Sequence, residues 1–174
     1  NGAWDAIDLS DDQIDVLACD PVDAFCFGTL AQRSGRNRET LTHLLDRIRP
    51  AQVFYDVNLR QRHYAPEWII HSLGASSIIK CNDEEARILA RLLFRQDLSQ
   101  KDFAKKVCET FPVTIVCITR GAAGAAVYHG GIFREIPGTP VKVVDTVGAG
   151  DAFSAGFLYA VLSGREVEPA ARFA

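Results

Sequence analysis

No apolar run in the 174 residues approaches the roughly 18–20 that a bilayer-spanning helix needs, so a membrane partner is not expected. A basic excess is missing too. Nineteen lysines and arginines face 22 aspartates and glutamates, for a net charge of -3. Non-specific nucleic-acid binding needs a basic face, so no nucleic-acid partner is expected; a small, locally positive anion site is still compatible. The opening Asn1-Gly2-Ala3-Trp4-Asp5 has neither the basic start nor the apolar block of a secretory signal. The first residue is not Met, and a cut or processed chain is expected. Cys19, Cys26, Cys81, Cys108 and Cys117 form no CxxC pair, and their odd number closes no disulfide framework. They read as reduced structural thiols of a cytoplasmic protein. His43, His63, His71 and His129 fall in no ligand spacing. Neither a Walker A sequence nor a complete G-x-G-x-x-G is present. The segment from Gly148 comes near the latter, but Phe153 stands where the last glycine belongs.

What is present is an ordinary globular composition, 48% apolar and 24% charged, and an alternation of strand and helix signals. Residues 22–27 read as a buried strand ending at Gly28. Leu41, Leu44, Leu45 and Ile48 form the stripe of an amphipathic helix over 39–49, which Pro50 stops. Strands are predicted at 53–57, 77–80 and 113–118, and helices at 68–73, 83–94 and from Ser99 to about 110. Asp102 stands at the capping-box position of the last. The strands are continuously apolar with helices between them. That predicts an α/β fold with parallel pairing, right-handed crossovers and helices on both faces. After Gly121 the pattern changes: residues 125–129 and 132–136 flank Gly130-Gly131 as a hairpin, and a short strand is predicted at 141–144. A helix is expected from about Gly150 to Leu162, ended by Gly164, with another beginning at Pro169. No linker or repeat divides the chain, so one domain over 1–174 is expected.

The strongest chemical signal is Gly148-Ala149-Gly150-Asp151. The glycines let the backbone turn tightly and approach a ligand. The free N–H groups and positive end of the helix that starts there make an anion site. Asp151, in the first turn, could take a proton from a substrate hydroxyl beside that anion. Taken alone, the same four residues fit a plain strand–turn–helix joint equally well.

The flanks extend the signal. The string from Asp145 through Phe157, DTVGAGDAFSAGF, closely resembles the C-terminal signature of the PfkB (ribokinase-like) carbohydrate kinases. The resemblance implies a three-layer α-β-α fold around a mainly parallel sheet. It implies that Asp151 is the catalytic base and that the backbone of Gly148, Ala149 and Gly150 is the anion hole for the phosphoryl group. Asp145 and Val147 would then help hold a monovalent cation such as K+, Val147 through its carbonyl alone. Lys80-Cys81-Asn82-Asp83-Glu84-Glu85 has capping-box spacing between Asn82 and Glu85. It also resembles the family's Asn-x-x-Glu motif, which influences Mg2+ and phosphate binding near ATP; the two readings are compatible. Thr119-Arg120-Gly121-Ala122-Ala123-Gly124 follows a strand, where open α/β sheets bind ligands. It resembles a family turn lying along the nucleotide; the alternative is a plain glycine turn. Asp56-Val57-Asn58-Leu59-Arg60 resembles the Asp-x-Asn-x-Arg motif of fructokinase-like and ketodeoxygluconate-kinase-like members. There Asn58 would orient ligand oxygens, and the planar fork of Arg60 would hold a phosphate or an acidic sugar. A surface arginine beside an Asx turn is the alternative.

The similarity runs over the whole chain but corresponds to the middle and C-terminal parts of the family fold. The N-terminal di-glycine motif, most sugar-binding residues and the small lid sheet are not recognisable, so a fragment with the nucleotide half of the site is expected. Family members often dimerise through that lid. A homodimer of the parent protein therefore remains an expectation without its main support. The resemblance implies an ATP- and Mg2+-dependent kinase of a small sugar, fructokinase-like first. Ketodeoxygluconate or nucleoside kinases and a non-catalytic nucleotide- or sugar-binding scaffold are the alternatives. A dinucleotide-binding oxidoreductase would need an acidic residue ending a strand after the glycine turn, in a βαβ unit that the sequence does not offer there.

Overall fold

The computed structural model describes residues 2–61, 63–140 and 145–174; the strand expected at 141–144 lies outside them. Six strands form one sheet in chain order: β1 (Ala24–Gly28), β2 (Gln52–Asp56), β3 (Ile78–Asn82), β4 (Ile115–Thr119), β5 (Ala125–His129) and β6 (Ile132–Ile136). β1 to β4 pair in parallel, and β5 and β6 complete the sheet as an antiparallel hairpin. Gly130 and Gly131 turn that hairpin at φ 56° and 80°, values that favour residues without a Cβ.

Seven α-helices are seen among the described residues: α1 (Asp11–Leu17), α2 (Gly35–Ile48), α3 (Pro66–Gly74), α4 (Asp83–Phe94), α5 (Gln100–Thr110), α6 (Ala149–Leu162) and α7 (Val167–Phe173). Strand side chains alternate between two cores. Tyr55, Ile79, Val116 and Ile118 meet Ile69 and Leu73 of α3, Leu89 of α4 and Phe103 and Val107 of α5. On the opposite face Phe54, Ile78, Ile115 and Cys117 meet Phe157 and Ala160 of α6 and Ala170 and Ala171 of α7. The sheet thus lies between two helical layers, as the continuously apolar strands predicted. Burial raises the thiols of Cys81 and Cys117, and that of Cys108 to about 11, consistent with structural cysteines.

Three differences from the sequence expectation have local causes. α1 was not expected: its only buried side chain is Ile14, and a reciprocal cap holds it, with Ser10 Oγ accepting the Gln13 N–H and Gln13 Oε1 accepting the Ser10 N–H. α2 starts four residues before the predicted 39. Its first turn is anchored by a polar residue, Asn37, whose amide donates to the carbonyls of Trp4 at 2.6 Å and Ala31 at 2.8 Å. Apolar periodicity cannot register such an anchor. At α5, Ser99 accepts the Asp102 N–H at 3.1 Å, but the Asp102 carboxylate takes the Ser99 hydroxyl at 2.6 Å. The shorter aspartate does not complete the box that a glutamate closes through the N-cap amide.

Candidate active site

All the motif segments sit at the C-terminal edge of the parallel strands. Asp56 ends β2, with Asn58 and Arg60 just beyond; Asn82 ends β3; Thr119 ends β4. Parallel strands feed their following segments to one edge, which is why ligands bind there in open α/β sheets. The α6 N-terminus arrives at this edge from the other helical layer. Between them is a pocket of about 360 Å³ lined by Asn58, Arg60, Lys80, Thr146, Val147, Gly148, Gly150 and Asp151.

Gly148 is the N-cap of α6 with φ 78°, and a Cβ there would meet nothing within 4 Å. Among the described residues no hydrogen-bond acceptor takes the N–H of Gly148 or Gly150, whereas Ala149 donates to the Thr146 carbonyl at 3.2 Å. Two of the three expected anion-hole amides are therefore open, and an anion reaching Ala149 competes with a turn bond. Asp151 is exposed in the first turn. A carboxylate in a helix's first turn is electrostatically favoured, so its presence there is compatible with both stability and chemistry.

Beneath the turn Lys80, expected at the nucleotide, joins two residues that were not candidate site residues, Asp56 and Ser154. Lys80 Nζ sits 3.1 and 3.0 Å from the two carboxylate oxygens of Asp56. The Ser154 hydroxyl is 2.8 Å from Asp56 Oδ2 and 2.9 Å from the Gly150 carbonyl. A Cβ on Gly150 would stand 3.0 Å from Lys80 Nζ. Part of this was legible: Asp56 ends β2 and Lys80 stands in the middle of β3, each a charge beside apolar neighbours.

Of the remaining candidates on this edge, Val147 lines the pocket, while Asn82, Glu85, Thr119, Arg120, Gly121, Gly124 and Asp145 are not among its lining residues. Asn82 Oδ1 accepts the Glu85 N–H at 2.8 Å, and Glu85 Oε2 accepts the Asn82 N–H at 2.8 Å. Glu85 Oε1 accepts the Leu59 N–H at 2.7 Å, so this carboxylate also ties the 57–60 segment to α4. Burial raises its pKa, offset by those two backbone donors. Arg120 is held by Gln100 at 2.8 Å and Glu135 at 2.8 Å. Gly121 and Gly124 turn at φ 57° and 91°. Asp145 Oδ1 accepts the Val147 N–H at 2.9 Å, an Asx turn between the two residues expected at the cation. Among the described residues no three His, Cys, Asp or Glu side chains cluster to hold a metal, and no helix is long and apolar enough to cross a membrane.

The sequence matches the pfkB family carbohydrate kinases over residues 1–174. It is 30% identical to a 2-dehydro-3-deoxygalactonokinase of Haloferax volcanii, over 90% of this chain and 51% of that protein. It is 28% identical to a fructokinase of Escherichia coli, over 61% of this chain and 34% of that protein. The fold superposes on a fructokinase of Vibrio cholerae O395, solved with fructose, ADP and calcium ion, with a TM-score of 0.76 at 21% identity, covering 92% of this chain and 55% of that one. The chain thus spans between a third and just over half the length of these relatives. With its mainly parallel sheet between two helical layers and its glycine turn over a pocket, the chain belongs to the pfkB family of carbohydrate kinases.

Proposed function

We propose that the protein transfers the γ-phosphoryl group of ATP to a hydroxyl of a small sugar, with a fructose-like ketose as the first choice. The observation that carries this reading is the pocket itself. It joins the open amides of Gly148 and Gly150, the carboxylate of Asp151 and the guanidinium of Arg60 in one cavity. Asp151 takes the proton of the attacking hydroxyl. The hydroxyl oxygen then forms its bond to the γ-phosphorus as the bond to the β-bridging oxygen breaks, releasing ADP. Charge on the transferring group falls on the α6 amides, which need no reorganisation to receive it. Asn58 and Arg60 also line the pocket and would hold substrate or phosphate oxygens.

Magnesium would enter with the phosphates and its own waters; the oxygens of Asn82 and Glu85 each accept one backbone N–H. They would influence the ion through the position of the 57–60 segment. A monovalent cation such as K+ would use Asp145 Oδ2 and the Val147 carbonyl. Thr119, Gly121 and Gly124 would flank the nucleotide, with Arg120 acting as an anchor to α5 and β6.

One observation favours a second acceptor class. Arg60 is exposed at the pocket, which suits an acidic sugar such as a keto-deoxy aldonic acid. The test is ATP turnover by the complete protein against fructose, a 2-keto-3-deoxy aldonic acid, ribose and nucleosides. Fructose is expected to stimulate ADP release most, with the keto acid next. If no acceptor stimulates turnover, and NAD raises the melting temperature while ATP does not, the kinase reading is wrong.

A further inference from the structure

Asn58, which lines the pocket, has a left-handed backbone with φ 37°. Few residues other than glycine take that conformation, although asparagine tolerates it. Such a conformation persists where the surroundings over-determine it, and here they do. The two peptide planes that meet at the Asn58 Cα are each held by a buried side chain from another element. The plane after it is held through the Leu59 N–H, which Glu85 Oε1 accepts at 2.7 Å. The plane before it is held through the Val57 carbonyl, which accepts the hydroxyl of Thr29. Fixing both planes fixes φ and ψ between them.

Thr29 is buried and directly follows β1. It stands at the N-cap of a short 3-10 helix over Leu30–Arg33, where a threonine hydroxyl commonly accepts a helix N–H. It makes no such bond. Its backbone is already helical, so the pairing of β1 with β2 ends one residue earlier, at Gly28 and Asp56. The side chain crosses to Val57 instead. A carbonyl only accepts, so the Thr29 proton goes to Val57, and Tyr55 donates to Thr29 Oγ1 from 2.6 Å. Burial pushes the Tyr55 phenol up to about 12, so it keeps the proton it donates. Val57 is fully buried, and water cannot take the place of the hydroxyl. We propose that Thr29, oriented by Tyr55, is a positioning residue for the phosphoryl acceptor: it sets the left-handed turn that presents the Asn58 amide to the sugar. A primary amide offers both a donor and an acceptor. A sugar hydroxyl matches both, whereas a phosphate oxygen matches only the donor. This rests on the kinase reading and deepens it, since it names what holds the acceptor side of the pocket.

The test measures steady-state kinetics of the complete protein, using whichever of fructose, a 2-keto-3-deoxy aldonic acid, ribose and a nucleoside the wild type turns over fastest. Thr29→Val keeps the shape and removes the hydroxyl. It is expected to raise the acceptor KM about tenfold, as the competent turn becomes a minor conformer. Saturating acceptor restores that conformer, so kcat and the KM for ATP should stay within about twofold of wild type. A merely structural loss would do the reverse: fewer folded molecules lower kcat and leave both KM values alone. Thr29→Ser keeps the hydroxyl and should match wild type. Tyr55→Phe keeps the bond to Val57 but frees the threonine rotamer, and should raise the acceptor KM about threefold. It decides the matter if Thr29→Val does not fold. Asn58→Gly keeps the left-handed turn without the amide, and in that background Thr29→Val should add nothing to the acceptor KM. With the kinase reading intact, the proposal is overturned if Thr29→Val, or Tyr55→Phe in its stead, leaves the acceptor KM unchanged or raises both KM values alike. It is equally overturned if Thr29→Ser loses as much as Thr29→Val, or if Thr29→Val has its full effect without the Asn58 amide. Wild-type protein that releases no ADP with any of these acceptors overturns the kinase reading itself.

Discussion

At Gly124 the backbone takes φ 91°, and a Cβ would stand 2.1 Å from the Ile136 carbonyl oxygen and 2.4 Å from the Gly138 nitrogen. At Gly121, three residues earlier, φ is 57° but a Cβ meets nothing within 4 Å. Both glycines belong to one sequence motif, yet only Gly124 is enforced by packing. Gly121→Ala therefore carries left-handed strain alone, about 1 kcal/mol. Gly124→Ala adds a backbone collision and is expected to cost about 3 kcal/mol in all. Denaturant melts of the two variants check this; equal losses would mean that Gly124 is not pressed against the 136–138 segment. Gly148 is of the Gly121 kind, turned left-handed toward open space. Gly148 also lines the pocket.

At the N-terminus of α4 one motif serves two purposes. Asn82 and Glu85 form the capping box that their spacing predicted, and the second Glu85 oxygen holds the Leu59 amide. The capping and site readings therefore meet in one carboxylate, which stabilises α4 and also sets where Asn58 and Arg60 begin. Asn82→Ala is expected to cost about 1 kcal/mol, as for other caps, read as a shift in the urea midpoint. An unchanged midpoint would mean the cap is replaced by solvent. The same element shows a limit of sequence reading. Spacing revealed the box, but the reach of Glu85 to a residue 26 positions earlier is a tertiary contact that no local pattern encodes.

Across the molecule, the sheet and its two cores were legible because strand burial on both faces leaves a continuous apolar record, and β5 and β6 fall where the alternation and Gly130-Gly131 placed them. The N-terminal segment was not legible, because polar contacts rather than apolar periodicity hold it. Asp5 pairs with Arg33 at 2.5 and 2.6 Å and accepts the Gly2 N–H at 2.8 Å. The Arg33 hydrogen bond, then the Gly2 N–H, hold this carboxyl well below the ordinary 3.8. A carboxyl with a depressed folded pKa contributes stability above its unfolded value and loses it as pH falls toward the folded one. Wild type should therefore melt above Asp5→Asn at pH 7, with the gap closing as pH drops below about 4. A gap independent of pH would show that Asp5 acts by packing alone. The site was half legible in the same sense. Asp151, the glycine turn, Asn58 and Arg60 announced themselves as motifs and share the pocket. Asp56 and Ser154 lie 98 positions apart and meet only in the fold.

The kinase reading turns on Asp151, whose carboxylate sits in the first turn of α6 at the edge of the pocket. The decisive measurement is the steady-state rate of acceptor-dependent ADP release by the complete protein and its Asp151→Asn variant, with ATP affinity measured in parallel. Loss of a general base is expected to lower kcat by about 10²–10⁴-fold while ATP affinity stays near that of wild type. Wild-type turnover in Asp151→Asn would contradict the assignment of the base and, with it, the chemistry proposed for this pocket.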